Sequence, residues 1–497
     1  MVLGALCLIL TYLNDDAYHT RFWTNFLHNS VYFTGIAFTS MFFLSAQITA
    51  FAGWNSLVKR VWEAMSQFMW VGLILMAVLV AGVWGHFHHL YHWNTPGITD
   101  PANPIFDKII AGKAGFLNAG WYTLGTLGFL AIWYFWAYNL RKASVAQDTE
   151  ETASFAFYKK QRKWAASFLP LGGFLSTVFI WQSVMSIDPH WYSTMFAWYS
   201  MISMWLGSIA LTVMLLIYLK SLGYLEYVTR EHLHDVGKFL FGISVFWTYL
   251  WFDQFMLIWY ANNGEETIYF RERMMHYPVL FWGNLLLNFV TPFLILMRND
   301  TKRKFGTMFF VALIVFLGHW WDYFYMIKPG ARIAANEAKE ISEGNFGKHH
   351  KAAPMSEAAP ATEAHTPAAT EEHATAEHAA HDTVAHEAAP AAHETPAAPA
   401  AAAHGEAAHG EAAHATEHGA TNGEERPFKA GFTLPGFLEL GTLIGFLSLY
   451  LFFFFNQLTK SSLVPWKDPY LDESLHHETG ALISTEVDAH HGHDDHH

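Results

Sequence analysis

One cysteine, Cys7, stands in 497 residues. That excludes an intrachain disulfide, a four-thiolate iron–sulfur site and a Cys-x-x-Cys-His haem attachment, so any thiolate-held electron carrier belongs to another chain. Charge is equally scarce. Charged residues make up 14% of the chain against 52% hydrophobic and 17% aromatic, where a soluble protein carries about 25% charged. The deficit points to a lipid-facing surface. The formal net charge of −14 sits mostly in a polar insertion and the C-terminal tail, and nothing in it suggests nucleic acid.

What the chain does have is long apolar runs. Nine reach the roughly 20 residues that carry a helix across a ~30 Å hydrocarbon core: 31–51, 65–85, 115–138, 165–186, 193–219, 237–261, 277–297, 305–327 and 432–456. The opening VLGALCLILTYL is short for a span and lacks the basic flank of a signal peptide. Read as a short first helix, it brings the number of spans to about ten. The expected fold is all-α and integral to a membrane, with helices 1 to 9 in residues 1–333, an insertion at 334–428, helix 10 in 429–460 and a His-rich tail at 461–497.

Lys and Arg in short loops favour the cytoplasm. The loops after even-numbered spans, together with the tail, hold 17 of them when Lys238 at the edge of its span is included. The four short loops on the other face hold five: Arg21, Lys108, Lys113, Arg271 and Arg273. Both termini are therefore predicted cytoplasmic in a bacterial inner membrane, and the SIDPHW turn at 186–191 external. The insertion repeats Ala, His, Glu, Pro and Thr and has no aromatic between Phe346 and Phe428. Such a composition buries too little apolar surface to offset ordering entropy. It is expected to be a disordered external spacer, whose twelve His offer at most loose metal binding.

Titratable residues inside a membrane are costly and mark function by default. Span 3 ends in GHFHHLYHW, with His86, His88, His89 and His92, of which His88 and His92 stand at i, i+4. Span 5 ends at Asp188 and His190, span 7 carries Asp253 in mid-segment, and span 9 carries His319 and Asp322 at i, i+3. Span 10 places Glu439 about 10 Å in from its outer end at 1.5 Å per residue. The expectation is one polar layer in the outer third. Apart from Glu63 and Glu226 near the cytoplasmic ends, the inner half shows only neutral groups such as Gln47 and Gln67. An outward proton path or quinone pocket over a poorly conducting inner half would look like this. Plainer roles compete: Trp and Tyr anchor interfaces, the histidines suit the same level, and Asp188 suits an N-cap with Pro189 at N1. Spans 3 and 7, and spans 5 and 9, match in polar depth, as two parallel four-helix units would.

The string VMSIDPHWYSTMFAWY, the ten-span layout and GHWWDYF at 318–324 resemble the polysulfide-reductase-type (NrfD-like) membrane subunits of bacterial alternative complex III, the F-type subunit above all. The family's corner motif falls on Met185, Ser186, Pro189, His190, Trp191, Ser193 and Thr194, with Asp188 where similar sequences often have Glu. The resemblance implies two four-helix bundles in a quinol:cytochrome c oxidoreductase. It also implies a sister NrfD-like subunit that carries most of the quinol oxidation, and partner iron–sulfur and multihaem c-type cytochrome subunits holding the haem c and clusters. A terminal oxidase is a further partner it suggests. Quinone or menaquinone is the ligand implied, with no cofactor bound covalently to this chain and no metal.

Three functions follow as expectations. In the first, Asp188, His190, Asp253, His319, Asp322, Glu439, His86 and His89 line a proton path or quinone pocket, where a neutral imidazole or a carboxylate accepts a quinol proton. In the second the chain is a scaffold for redox partners. The third, a haem-b cytochrome or a transporter, is disfavoured because its histidines sit at helix ends without facing pairs.

Overall fold

Lipid offers no partner to backbone N–H and C=O groups, so apolar runs of this length satisfy them internally as helices. The computed structural model describes residues 1–149, 155–344 and 431–478, and these contain helices and no strand. Ten long elements follow in order: α1 (Val2–Leu13), α2 (Thr20–Thr49), α3 (Lys59–Trp84), α4 (the consecutive stretches Ala119–Thr123, Leu124–Gly128 and Phe129–Gln147), α5 (Phe155–Ser183), α6 (Thr194–Ser221), α7 (Arg230–Ala261), α8 (Pro278–Leu296), α9 (Phe305–Ser342) and α10 (Phe437–Leu458). Eight are long and apolar enough to cross a membrane. The exceptions are α1, with 12 residues, and α4, diluted by Trp121, Tyr122, Trp133, Tyr134 and Trp136.

The helices α2 to α5 pack as one bundle and α6 to α9 as a second, with α2 lying against α6 and α9 where the two meet. α2, α6 and α9 are the inner layer, 89%, 78% and 72% buried over their apolar windows, whereas α5, α7 and α8 are 33% buried and turn most of their surface outward to lipid. A further likeness between the bundles lies in the backbone. α4 is π-helical at Leu124–Gly128 and α8 at Leu286–Val290, four helices apart. Single-turn π-bulges of this kind occur often at functional sites.

α1 runs antiparallel to α10 in backbone contact: a Cβ on Gly4 would lie 2.2 Å from Gly445 Cα, and one on Gly441 would meet the Cys7 sulfur. Only small residues permit so close an approach.

Two boundaries move. α9 does not stop near 327 or yield to the insertion at 334; it continues to Ser342 through Pro329-Gly330, a pair that ordinarily ends helices. Gly330 lets the chain pass close to Ile187 and Asp188, and the buried Arg273 guanidinium donates to the Met326 carbonyl at 3.2 Å in the weakened turn. α10 begins at Phe437, after a turn through Pro435-Gly436, so Glu439 lies in its first turn and not 10 Å along a span. The rest of the insertion, and His490, His491, His493, His496 and His497 of the tail, fall outside the described residues.

At the face opposite the SIDPHW turn, Glu63, an expected exception to the neutral inner half, is joined by buried charges that the reading did not anticipate. Arg60 donates to Glu63 at 2.9 Å and to Asp148 at 2.6 Å, and Lys59 pairs with Asp468 of the tail. The tail continues over this face: Ser474 Oγ donates to the Trp54 carbonyl at 2.7 Å and lies 3.1 Å from His232 of α7, and His477 reaches Asp235 at 2.5 Å. Residues 468–477 thus strap α3 of one bundle to α7 of the other.

Candidate functional site

Asp322, in the middle of α9, is fully buried, and among the described residues no Lys or Arg pairs with it; His319 Nδ1 lies 3.9 Å from its Oδ2. Four neutral donors hold its carboxylate instead. Oδ1 accepts from the Tyr199 hydroxyl and from Asn284 Nδ2 (2.7 Å), and Oδ2 from Ser203 Oγ (2.8 Å) and Trp247 Nε1 (3.1 Å). These donors come from α6, α7 and α8, so every helix of the second bundle contributes. Asn288, inside the π-helical turn of α8, donates to Asn284 Oδ1 at 2.6 Å and to the Gly318 carbonyl at 3.0 Å, which fixes the Asn284 amide with its nitrogen toward Asp322. His319 Nδ1 stands 3.0 Å from Ser203 Oγ. Because that hydroxyl gives its one proton to Asp322, it accepts from His319, which makes the ring the Nδ1–H tautomer. The result is a relay, His319 Nδ1–H to Ser203 O–H to Asp322, in which His319 Nε2 has no hydrogen-bond partner.

The first bundle has a neutral counterpart. Gln182 of α5 follows Trp181 as Asp322 follows Trp321. It too faces the π-helical turn of its neighbour: a Cβ on Gly125 would lie 2.9 Å from Gln182 Cγ. At this position the first bundle has an amide where the second has a carboxylate.

A second polar group lies about six residues, or ~9 Å, further along α9. Lys328 is buried and donates to Asn25 Oδ1 at 2.5 Å, and Asn25 Nδ2 donates to Glu439 Oε1 at 3.0 Å. Glu439 also accepts both arms of the Arg21 guanidinium (2.7 and 3.0 Å) and the Gly436 amide (3.0 Å). Its position in the first turn of α10 complements the helix dipole.

The third group surrounds the SIDPHW turn. His190 Nε2 and Asp107 Oδ2 are 2.6 Å apart, and Asp107 also accepts the amides of Ile109 and Ile110 as N-cap of the short helix Lys108–Lys113. Burial works to raise the Asp107 carboxyl, but hydrogen bonds from His190 and from the two amides outweigh it and hold it at about 2. The bond to Asp107 pushes His190 above its ordinary value. Glu337, near the end of α9, lies 3.5 Å from His92, whose ring is 6.2 Å from that of His190. Burial raises the Asp188 carboxyl, against the opposing pull of Arg273, His190 and Lys113. The turn also clasps the two bundles. Lys113 donates to the Pro189 carbonyl at 2.6 Å, while Trp191 stacks at 3.8 Å on Tyr269, which carries the Arg273 guanidinium on its ring at 3.3 Å.

The expected single layer is therefore a staircase. A Cβ on Gly330 would sit 3.6 Å from Asp188 Cβ, and Gly330 is eight residues, about 12 Å, beyond Asp322. Asp188 is not the N-cap of the following helix, since α6 begins at Thr194 after Ser193. Asp253 joins none of the three groups; its neighbour Gln254 turns inward to Ser193 at 3.0 Å. The helical spacing assumed for His88 and His92 does not exist, because α3 ends at Trp84. His86 is exposed at φ 51°, His88 folds back to 3.2 Å from the Leu79 carbonyl, and His89 packs on Tyr18 at 4.1 Å. Of the four, only His92 reaches the third group.

Arg21, Asn25, Asp107, Lys328 and Glu337 carry the second and third groups and were missed as site residues. Lys328 and Glu337 had a signal, the α9 sequence continuing beyond Asp322, which Pro329-Gly330 interrupted. A cavity of about 240 Å³ beside the turn is lined by Lys113, Phe116, Trp181, Met185, Trp191 and Tyr192 among others, with no carboxylate or imidazole in its wall. A quinol oxidation site requires a group that takes up protons, so these residues do not fit that chemistry. Among the described residues no three His, Cys, Asp or Glu side chains are grouped to hold a metal. The chain matches no protein-family model and no curated protein.

Proposed function

We propose that this chain is a multi-pass membrane subunit of a quinol:electron acceptor oxidoreductase of the alternative-complex-III type, and that its own part is to hold and pass protons toward the outer face beside a sister subunit that oxidises quinol. The observation that carries the reading is α9 itself: His319, Asp322, Lys328 and Glu337 lie along ~27 Å of one helix, each engaged with a group on another helix or on an outer loop. Intramembrane charge is retained where it has a task. A scaffold alone would be served as well by the neutral Gln182 arrangement of the first bundle. One cysteine cannot hold an iron–sulfur cluster or a covalent c-type haem, so in this reading those centres belong to partner chains.

The haem reading fits less well. His28 of α2 is 2.9 Å from the Trp320 carbonyl and His319 is engaged by Ser203, both in close-packed surroundings. The test is Asp322→Asn in the complex purified from native membranes. It should lower quinol-driven proton release or turnover while the iron–sulfur and haem subunits still co-purify. Wild-type turnover and proton release would remove Asp322 from the function, and a chain that purifies alone would refute the complex.

A further inference from the structure

The outward face of α7 carries two polar groups that nothing among the described residues answers. Phe246, Tyr249, Asp253, Met256 and Tyr260 follow one another at spacings of three, four, three and four residues, the stripe that one helix presents to another in left-handed packing. All but Asp253 are exposed, Tyr249 by 57% and Tyr260 by 84%, and Asp253 is half-buried. Tyr249 stacks on Phe246 at 6.2 Å between ring centres, but among the described residues no hydrogen bond reaches its hydroxyl. Neither a hydrogen bond nor an ion pair reaches the Asp253 carboxylate.

Depth makes this costly. Tyr249 is two residues, about 3 Å along the axis, from Trp247, whose indole meets Asp322 in mid-bundle. Asp253 is seven residues, about 10 Å, short of Tyr260, and Trp259 and Tyr260 form the kind of aromatic pair that sits at headgroup level. Exposed apolar side chains continue on both sides of the carboxylate, with Phe252 and Leu257 flanking it. Nor does the side chain lean toward water. α7 starts at the face strapped by the tail and ends on the SIDPHW side, and every Cα–Cβ bond of a helix tilts toward its N-terminus. Asp253 and Tyr249 therefore lean into the membrane, away from the nearer headgroups. Acyl chains offer neither a hydrogen bond nor a countercharge, whereas an intramembrane carboxylate is normally paired.

We propose that this face of α7 packs against a transmembrane helix of another subunit, which places a Lys or Arg opposite Asp253 and a hydrogen-bonding side chain opposite Tyr249. A cation is the complement because a carboxylate in low dielectric stays uncompensated without one. Asp322 needs no such partner, since four donors of its own bundle hold it. A single polar position in an apolar seam also fixes register, so the Asp253 pair sets how the two helices align. The proposal rests on reading the chain as one subunit of a complex, but it involves neither quinol nor proton transfer. Failure of the quinol reading leaves it standing.

The experiment places the photoreactive residue benzoylphenylalanine at Met256 of the full chain and irradiates intact native membranes, before any complex is taken apart. Mass spectrometry should find the linked peptide in an apolar segment of another subunit, with a Lys or Arg within one helical turn of the linked residue. Asp253→Leu should lower the yield about fivefold, the effect of one interhelical hydrogen bond, and Asp253→Glu should keep most of it. Because Asp253 holds nothing within its own chain, Asp253→Leu should leave the unfolding temperature of the chain in detergent unchanged; a lower one would count against the proposal. Links to lipid alone, to a second copy of this chain or to a helix without a basic residue overturn it. So does an equal yield in wild type and Asp253→Leu.

Discussion

Trp247 Nε1 donates to Asp322 Oδ2 across 3.1 Å, from α7 to α9, and both side chains are buried. An indole on a helix that mostly faces outward thus closes a carboxylate's hydrogen-bond set in mid-bundle. Replacing Asp322 by Asn turns one acceptor oxygen into a donor opposite donors. Each oxygen holds two donors, Tyr199 with Asn284 or Ser203 with Trp247. The hydroxyl can turn to accept from the new amide, but Asn284 or Trp247 then loses its partner, at a cost of about 1–3 kcal/mol. The expected result is a lower unfolding temperature for Asp322→Asn. Trp247→Phe should couple to it, the double variant losing less than the sum of the singles by about 0.5 kcal/mol or more. Strict additivity would mean the indole contributes nothing to holding the carboxylate.

Glu439 is 1% exposed and its partner Arg21 16%. Removing one member of such a pair leaves an uncompensated charge in low dielectric, so Glu439→Ala should destabilise by about 3–5 kcal/mol. Lys328, which reaches Glu439 only through Asn25, should be replaceable by Met at smaller cost. Chemical or thermal unfolding in one detergent, compared across the two variants, checks the order.

The His190–Asp107 pair confers a pH window. A raised imidazole stabilises the fold fully below its unfolded value of about 6.5 and loses that contribution as pH rises through its folded value. A depressed carboxyl, held at about 2, contributes above its unfolded value of about 3.9 and loses the contribution as pH falls toward the folded one. Both are in place from about pH 4 to 6.5. The difference in unfolding temperature between wild type and Asp107→Asn should therefore be largest there and shrink toward pH 8. A difference that grows with pH would contradict the pairing.

Cys7 reports on the α1–α10 contact. It is 7% exposed, and Gly445 leaves no room for a side chain against Gly4. Gly445→Val should push α1 away and speed alkylation of Cys7, the chain's single thiol, by tenfold or more if separating the helices costs about 1.4 kcal/mol or more. Unchanged alkylation would mean the two helices pack otherwise.

Helix formation and membrane character were legible in composition and run length, because the cost of unpaired backbone in lipid acts on any apolar run of sufficient length. The two-bundle repeat was expected from matched polar depth, which does not hold: Asp188 lies about 12 Å beyond Asp322 along α9, and His86 to His92 follow the end of α3. Asp322, Glu439 and His190 were recognisable as unusual since charge in an apolar run is conspicuous whatever its partners. Their partners were not: Asn284, Tyr199 and Trp247 are ordinary membrane residues in sequence, and lie 38, 123 and 75 positions from Asp322.

Length, hydropathy and the presence of costly charge were thus determined by the sequence itself, as local properties of the chain. Which charges meet was decided only by tertiary structure. The rotation of each helix about its axis sends Asp253 away from the three groups while its neighbour Gln254 turns inward, and the continuation of α9 through Pro329-Gly330 brings Glu337 to His92. Both depend on packing between helices distant in sequence, which no local pattern encodes.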